Sequence, residues 1–242
     1  MLHGDQRGLF ELERAIPSEC ADRLADGRAD IGIVPSVELN RQKLTVIPGT
    51  GIACRGAVRS IFLISKAPIA EIRTLATDAS SRTSVALARI VLAKKYGIAP
   101  ELHSERPRLG PMLETSDAAL IIGDAALVLD PAELPFHVLD LGTEWTAMTG
   151  LPMVFAVWAA RAELGEQDPK PFLASLGYGM AHIDEIARRE HKKVGISEEL
   201  AREYLTRNIV FELGVREYEG LAAFLEYAAA LPTIEARKKV PA

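Results

Sequence analysis

The most chemically suggestive stretch of the sequence is a cluster of hydroxyl side chains around one arginine. The cluster consists of Ser80, Ser81, Arg82, Thr83 and Ser84. It directly precedes the pattern VALARIVLAKK, which predicts an amphipathic helix. A helix N-terminus carries about half a positive charge, and a single hydroxyl is enough to cap it. We therefore interpret the surplus hydroxyls as a binding site for a carboxylate or phosphate, with the Arg82 guanidinium as a further anchor.

Four other residues lie at or beside the ends of predicted strands. Gly123 and Asp124 follow the apolar run AALII, and residues at that end of a strand border the ligand cleft of α/β folds. Asp124 is therefore a candidate for facing a ligand or for capping the next helix, and the two roles are compatible. Ser36 is favoured as the cap of the turn that follows it. Arg55 is expected to be solvated, with contact to a carboxylate in the cleft as the alternative.

Composition and motifs exclude several classes of function. The net charge of −5 and the pI near 5.6 argue against nucleic acid as the main partner. The two cysteines and five histidines lack the spacing of metal ligands, so we predict no metal site and free thiols. The sequence contains no phosphate-binding loop, dinucleotide fingerprint or serine-hydrolase motif.

Hydropathy indicates where the protein works. No apolar run reaches the ~18 residues of a membrane-spanning helix, and the first ten residues lack the apolar core of a signal peptide. We therefore expect a cytoplasmic protein without a membrane partner, present as a monomer or homodimer. Its partner is expected to be a small molecule.

Strands and helices alternate along the chain and must position these residues. A strand is predicted over 9–16, and a helix follows, with Ser18 as its cap and Gly27 just past its end. The next strand, ADIGIVPS, completes a β-α-β unit, which predicts parallel pairing through a right-handed crossover. Further strands are predicted within 44–66, 71–78, 118–123, 135–142 and 151–160. Further helices are predicted within 168–186, 186–193, 197–206 and 217–229.

The strands cluster in two groups, and the chain after 151–160 is helical. This pattern predicts an α/β fold in which a smaller lobe, residues 57–152, is inserted into a larger one. The larger lobe would comprise residues 1–56 and 153–242, with 52–65 and 151–160 as the two crossing strands. A ligand would bind in the cleft between the lobes.

Five segments resemble the menaquinone-biosynthesis chorismate dehydratase family of the futalosine pathway. They are RADIGIVPSVE, IPGTGIACRGAVRSIFLISK, TDASSRTSVALARIVL, DAALIIGDAAL and DLGTEWTAMTGLPMVFAVW. The resemblance implies the two-lobed fold of type II periplasmic binding proteins. It also implies a lyase, free of cofactors, that converts the dianion chorismate to 3-[(1-carboxyvinyl)oxy]benzoate by removing water.

That reaction assigns roles to the candidate residues. Loss of the C3 proton and the C4 hydroxyl makes the ring aromatic, so the enzyme mainly holds two carboxylates and stabilises developing charge. Ser36, Arg55, Gly123 and the cluster at 80–84 are the substrate-binding candidates. Asp124 is the candidate base, and the enolpyruvyl carboxylate of the substrate itself is the alternative.

The resemblance also implies a first strand and an Asn-containing turn that this sequence lacks. A start codon assigned too late or a truncated chain would each account for the difference. Two other functional hypotheses stay open: non-catalytic binding of an anionic small molecule, and cleavage of cyclic dehypoxanthine futalosine by the sister enzyme of the same pathway. Turnover of chorismate separates the dehydratase from the other two.

Overall fold

The computed structural model describes residues 1–78 and 81–232, whose strands form two sheets. In chain order the strands are β1 (Ile31–Pro35), β2 (Leu44–Cys54), β3 (Ile61–Ser65), β4 (Thr74–Thr77), β5 (Glu101–Ser104), β6 (Ala118–Ile122), β7 (His137–Asp140), β8 (Met153–Arg161) and β9 (Val210–Glu212). The α-helices are α1 (Pro17–Ala25), α2 (Arg82–Lys95), α3 (Leu109–Thr115), α4 (Asp124–Leu127), α5 (Leu141–Thr149), α6 (Lys170–Ala181), α7 (Ile183–Val194), α8 (Glu198–Glu203) and α9 (Val215–Ala229). A 3-10 turn spans Ser36–Asn40, and a π-helical turn spans Tyr204–Asn208.

The first sheet has the strand order β1-β8-β2-β9, and all of its neighbouring strands are antiparallel. Strand β8 lies between β1 and β2 and is rich in β-branched and aromatic residues, which suit a central strand. Its buried Val154 and Val157 pack with Ala21 and Leu24 of α1 on one face of the sheet. This sheet places Ser36 at the end of β1.

The second sheet has the order β5-β4-β6-β3-β7 and mixes parallel with antiparallel pairs. All five residues of β3 are buried, as expected of a central strand that is covered on both faces. Leu63 packs with residues of α2 such as Leu87, whereas Phe62 packs with residues of α3 such as Met112. Because successive side chains of β3 point to opposite faces of the sheet, β3 packs against helices on both sides.

One hydrophobic cluster joins the two sheets. It contains Leu63 of the second sheet and Phe155 of the first, together with Trp145 of α5 and Phe224 of α9. Trp145 is fully buried, meets Phe224 edge to face, and donates from Nε1 to the carbonyl of Pro152 at 3.0 Å. Helices α5 and α9 therefore hold the sheets together where the chain returns to the first sheet.

The sequence predicted the fold class and most elements correctly, including β3, β6, β8, α2 and the left-handed Gly27 after α1. All strands of the second sheet lie within residues 57–152. The exact lobe boundaries, 1–56 with 153–242 and 57–152, stay a prediction. No helix in the described part of the chain is long and apolar enough to cross a membrane.

The predicted strand over 9–16 is wrong, because these residues form neither strand nor helix. Strand β1 pairs antiparallel with β8, so the predicted parallel β-α-β unit is wrong as well. Alternation of apolar residues shows that a segment suits a strand, but it does not show which strand will pair with it. The predicted cap is also displaced: α1 begins with Pro17 after an Ile16 cap, and Ser18 is buried inside the helix.

Candidate functional site

Helix α2 follows strand β4 in the chain. We call residues Ser81–Ser84, at its N-terminus, the α2 entrance. Ser81 occupies the cap position, but its side chain does not cap the helix and instead donates to Ser84 Oγ at 3.0 Å. Lys94 and Lys95 in the last turn complement the opposite end of the helix dipole. The predicted Ser80 lies outside the described residues. The Ser81 hydroxyl therefore leaves the backbone N–H groups in the first turn of α2 uncapped.

Arg82 connects the α2 entrance to the first sheet. Its guanidinium binds Glu38 Oε1 at 3.1 Å and Asp22 Oδ1 at 2.8 Å. The Glu38 side chain is only 2% exposed. Burial opposes the charge of Arg82, but the hydrogen bonds that it donates to Asp22 and Glu38 outweigh burial and raise the pKa of the guanidinium. Arg82 is thus bound by carboxylates of the protein, and its contact with a ligand stays a prediction.

Thr83 of α2 and Ser36 of the 3-10 turn after β1 lie next to each other. Thr83 is buried, and its Oγ1 accepts a hydrogen bond from the backbone N–H of Val37 at 3.3 Å. Ser36 Oγ lies 3.5 Å from Thr83 Oγ1 and donates to the carbonyl of Val154 at 2.7 Å. The sequence proposed both residues without indicating that they meet. Together they fix the α2 entrance against the end of β1.

A second candidate area, which we call the Asp124 corner, comprises Ser60, Gly123 and Asp124. The backbone N–H of Gly123 donates to the carbonyl of Ser60 at 2.8 Å. Gly123 has φ 64° and ψ −137°, a conformation that is essentially confined to glycine. Asp124 is exposed at the start of α4, and its carboxylate does not cap that helix. Among the described residues, nothing forms a hydrogen bond or an ion pair with this carboxylate.

Tyr204 is a site residue that the sequence did not indicate. Its hydroxyl donates to Ser60 Oγ at 3.0 Å, although the two residues are 144 positions apart. Burial raises the pKa of the Tyr204 phenol, the hydrogen bond with Ser60 opposes this shift, and the charge of Asp124 adds to it. The helical pattern predicted over 197–206 identifies the element but not the residue it contacts.

Arg55 lies in the connection from β2 to β3, which we call the first crossing segment, and it forms an ion pair with Glu217. Its Nε donates to Glu217 Oε1 at 2.7 Å, while the arginine side chain stays 63% exposed. Burial raises the pKa of Glu217, but the Arg55 hydrogen bond and the backbone N–H of Gly214 lower it below its usual value overall. Arg55 also borders a groove of about 730 Å³ that Leu173, Met180 and other apolar residues line. Its contact with a substrate stays a prediction.

The described residues offer neither a metal cluster nor an activated thiol. No group of three or more histidine, cysteine, aspartate or glutamate side chains within 1–78 and 81–232 is arranged to hold a metal ion. Cys20 and Cys54 are both free, and burial raises the pKa of Cys54 to about 12. Cys54 is therefore a protonated core residue at neutral pH.

Known proteins resemble this chain in sequence over most of its length. The family described as menaquinone biosynthesis matches residues 3–230. A chorismate dehydratase of Thermus thermophilus is 31% identical over 244 residues, which cover 92% of this chain and 88% of that protein. A chorismate dehydratase of Campylobacter jejuni is 29% identical over 147 residues, which cover 61% of this chain and 52% of that protein.

Solved structures show the same fold at low sequence identity. A structural-genomics protein from Archaeoglobus fulgidus superposes with a TM-score of 0.67 at 16% identity, covering 88% of this chain and 83% of that one. The periplasmic aliphatic sulphonate binding protein of Escherichia coli superposes with a TM-score of 0.58 at 14% identity, covering 88% and 77%. The predicted periplasmic-binding-protein-like α/β fold is thereby confirmed. On the sequence match over residues 3–230, the chain belongs to the menaquinone biosynthesis family.

Proposed function

We propose that the chain is a chorismate dehydratase, a lyase of menaquinone biosynthesis. The observation that carries the proposal is its 31% identity, over 92% of its length, to the Thermus thermophilus protein of that name. The expected product is 3-[(1-carboxyvinyl)oxy]benzoate, and we place the step in the futalosine route. The fold supports the proposal because it is one that also binds small anionic molecules, such as sulphonates.

The reaction requires little beyond positioning and charge stabilisation. The C3–H bond of chorismate breaks, and its electron pair becomes the new C3–C4 double bond of the aromatic ring. The C4–O bond breaks, and the hydroxyl leaves as water with one proton. Negative charge spreads into the ring carboxylate as the C3 proton departs, so donors fixed near that carboxylate stabilise the transition state.

We propose that the α2 entrance binds a carboxylate of the substrate through backbone N–H groups and through the hydroxyl of Ser81, which turns from Ser84 Oγ to the ligand when the substrate binds. Ser84 is buried, so its direct contact with the substrate stays a prediction. The positive charge of Arg82 is already balanced by Asp22 and Glu38. Attraction of a dianion therefore relies on the helix N-terminus and its neutral donors. In this proposal Arg82, Thr83 and Ser36 hold the α2 entrance in place.

We propose Asp124 as the base that removes the C3 proton. It is exposed and has no partner among the described residues, so its carboxylate lone pairs are available to a substrate. The alternative base is the substrate's own enolpyruvyl carboxylate. A buried or paired carboxylate such as Glu38 or Glu217 is a weaker candidate, because its charge is already stabilised by arginine.

The proposal is tested by incubating the purified chain with chorismate. We expect chorismate absorbance to fall faster than in a protein-free control, with one equivalent of 3-[(1-carboxyvinyl)oxy]benzoate detected by mass spectrometry. Binding without turnover would contradict the proposal and favour the hypothesis of an anion-binding protein. Inactivity on chorismate together with cleavage of cyclic dehypoxanthine futalosine would identify the sister activity instead.

We further propose that the protein acts in the cytoplasm as a monomer or homodimer, with the dianionic substrate as its main partner and without nucleic acid. The acidic net charge of −5 supports the last point. Cell fractionation and light scattering of the purified chain test the location and the oligomeric state. Recovery in the membrane fraction or a larger assembly would contradict this part of the proposal.

A further inference from the structure

Tyr204 links the C-terminal helices to the Asp124 corner. It begins the π-helical turn Tyr204–Asn208 that continues from α8. Its hydroxyl reaches Ser60 Oγ at 3.0 Å, and Ser60 is only 4% exposed. Isolated π-helical turns are uncommon and are often found at functional sites, because they redirect side chains out of the regular helical order. The π-helical turn here directs a phenol at the residue that precedes β3.

Ser60 in turn determines the geometry of Asp124. The bond from Gly123 N–H to Ser60 carbonyl extends the antiparallel ladder of β3 and β6, in which Ile61 is paired with Ile122. Asp124 is the next residue, and Gly123 turns the chain sharply between ladder and carboxylate. The position of Ser60 therefore restrains that of Asp124 through one hydrogen bond and one glycine.

The Tyr204 hydroxyl is a donor that stays protonated. The phenol is largely buried, and its pKa is raised by burial and by the negative charge of Asp124. A neutral phenol at pH 7 donates its proton to a hydrogen bond while Ser60 Oγ accepts it.

Asn208 makes a parallel contact that leaves the Asp124 corner untouched. It belongs to the same π-helical turn, and its Nδ2 donates to the carbonyl of Ala57 at 3.1 Å. Both side chains therefore fix the π-helical turn to the first crossing segment. Only Tyr204 bonds to the residue that holds Gly123. Substitution of Asn208 therefore tests attachment of the turn, whereas substitution of Tyr204 also tests the positioning of Asp124.

We propose that Tyr204 is a positioning residue for the dehydration, which holds Asp124 through Ser60 in the orientation needed to take the C3 proton. The inference rests on the proposed function and on Asp124 as the base. Without the phenolic hydroxyl, Ser60 loses a hydrogen-bond donor, and the Asp124 corner adopts a wider range of positions. Small misplacements of a catalytic group lower the rate of chemistry more than they lower binding.

The test compares the wild-type chain with Tyr204→Phe, Ser60→Ala, the double variant, Asp124→Asn and the control Asn208→Ala. We expect Tyr204→Phe to lower kcat for chorismate about tenfold to a hundredfold with KM within about threefold. Ser60→Ala should have a similar effect, and the double variant should be no slower than either single variant, because the two residues act as one unit. Asn208→Ala should keep kcat within about twofold.

Several outcomes would overturn the inference. Wild-type kcat in Tyr204→Phe would do so, as would multiplicative effects of the Tyr204 and Ser60 changes. An equal loss in Asn208→Ala would show that attachment of the turn is what matters. Full turnover by Asp124→Asn together with a slow Tyr204→Phe would show that Tyr204 acts by another route.

A titration separates this inference from the proposed function. If the wild-type chain does not turn over chorismate, the proposed function fails, and the catalytic role of Tyr204 fails with it. The arrangement of Tyr204 and Asp124 is then tested by titrating the Tyr204 phenol. Its signal is the difference between the wild-type chain and Tyr204→Phe. We expect a pKa above the ordinary value of about 10 that falls in Asp124→Asn. An ordinary pKa that does not respond to Asp124→Asn would contradict the arrangement itself.

Discussion

The α2 entrance and the Asp124 corner differ in how their charged side chains are bound. At the α2 entrance, Arg82 is held between Asp22 of α1 and Glu38 of the 3-10 turn after β1. At the Asp124 corner, an exposed carboxylate without an ion-pair partner among the described residues is held by backbone, Ser60 and Tyr204. A charge that is already paired stabilises structure, whereas an unpaired charge is available for chemistry. On this difference we base our proposal that the α2 entrance supplies binding donors and that the Asp124 corner supplies the base.

The largest expected effect comes from removing the unpaired charge. We expect Asp124→Asn to lower kcat for chorismate by a factor of roughly 100 or more, as is typical for loss of a general base. The substitution keeps the size of the side chain, so KM and the melting temperature should change little. Steady-state kinetics and thermal unfolding measure both quantities. Full turnover in this variant would leave the substrate's own carboxylate as the base.

Removing a neutral donor at the α2 entrance should have the next largest effect. Ser81→Ala is expected to lower kcat/KM on the order of 100-fold, because the hydroxyl that we propose turns from Ser84 to the developing charge is lost. Thr146→Ser is a suitable control, since Thr146 contacts the crossing segments through Gly56 and Leu151 and its hydroxyl is kept. Wild-type kinetics in Ser81→Ala would show that the α2 entrance does not bind the substrate through this hydroxyl.

Breaking the buried ion pair at the α2 entrance should reduce stability more than it reduces the rate of chemistry. We expect Glu38→Gln to lower the free energy of unfolding by about 2–3 kcal/mol, because Arg82 and Gln42 lose a charged acceptor. Urea unfolding followed by circular dichroism measures this change. Asp22→Asn is the matched control: its exposed carboxylate also pairs with Arg82, and we expect a loss below about 1 kcal/mol. Equal losses in the two variants would contradict the assigned difference in burial.

Substitution of the glycine of the Asp124 corner should lower stability less than Glu38→Gln does. Gly123→Ala places a Cβ on a residue with φ 64° and ψ −137°, which costs about 1–2 kcal/mol in the free energy of unfolding. Gly110→Ala on α3 is the control, because that glycine has no atom close to the added Cβ and its φ is not in the left-handed region. A Gly123→Ala variant as stable as wild type would mean that the Asp124 corner relaxes freely.

The sequence predicts elements here better than it predicts contacts. The runs that form β3, β6 and β8 are apolar enough to predict buried strands, and the hydroxyl cluster at 80–84 marks the start of α2 correctly. The pairing of Arg82 with Glu38 spans 44 positions and that with Asp22 spans 60, so local patterns contain no information on either. The same holds for Tyr204 and Ser60, which are 144 positions apart.

The misassigned strand at 9–16 shows the same limit in the fold itself. Phe10, Leu12 and Ile16 lie at even-numbered positions, as alternation in a strand requires, yet none of them is in a strand, and Leu12 and Ile16 are exposed. Strand formation depends on a neighbour in the sheet, and the neighbour of β1 is β8, which arrives about half a chain later. The periodicity of apolar residues predicts which secondary structure a segment can form. Whether it forms a strand depends on the strand that is available to pair with it.

The most direct test of the central claim is turnover of chorismate carrying deuterium at C3 by the wild-type chain. The account predicts 3-[(1-carboxyvinyl)oxy]benzoate that has lost the deuterium, formed more slowly than from unlabelled chorismate. It also predicts that Ser81→Ala and Asp124→Asn slow formation of the same product. Unchanged chorismate in the presence of folded protein, or a product that retains the deuterium, would contradict the account.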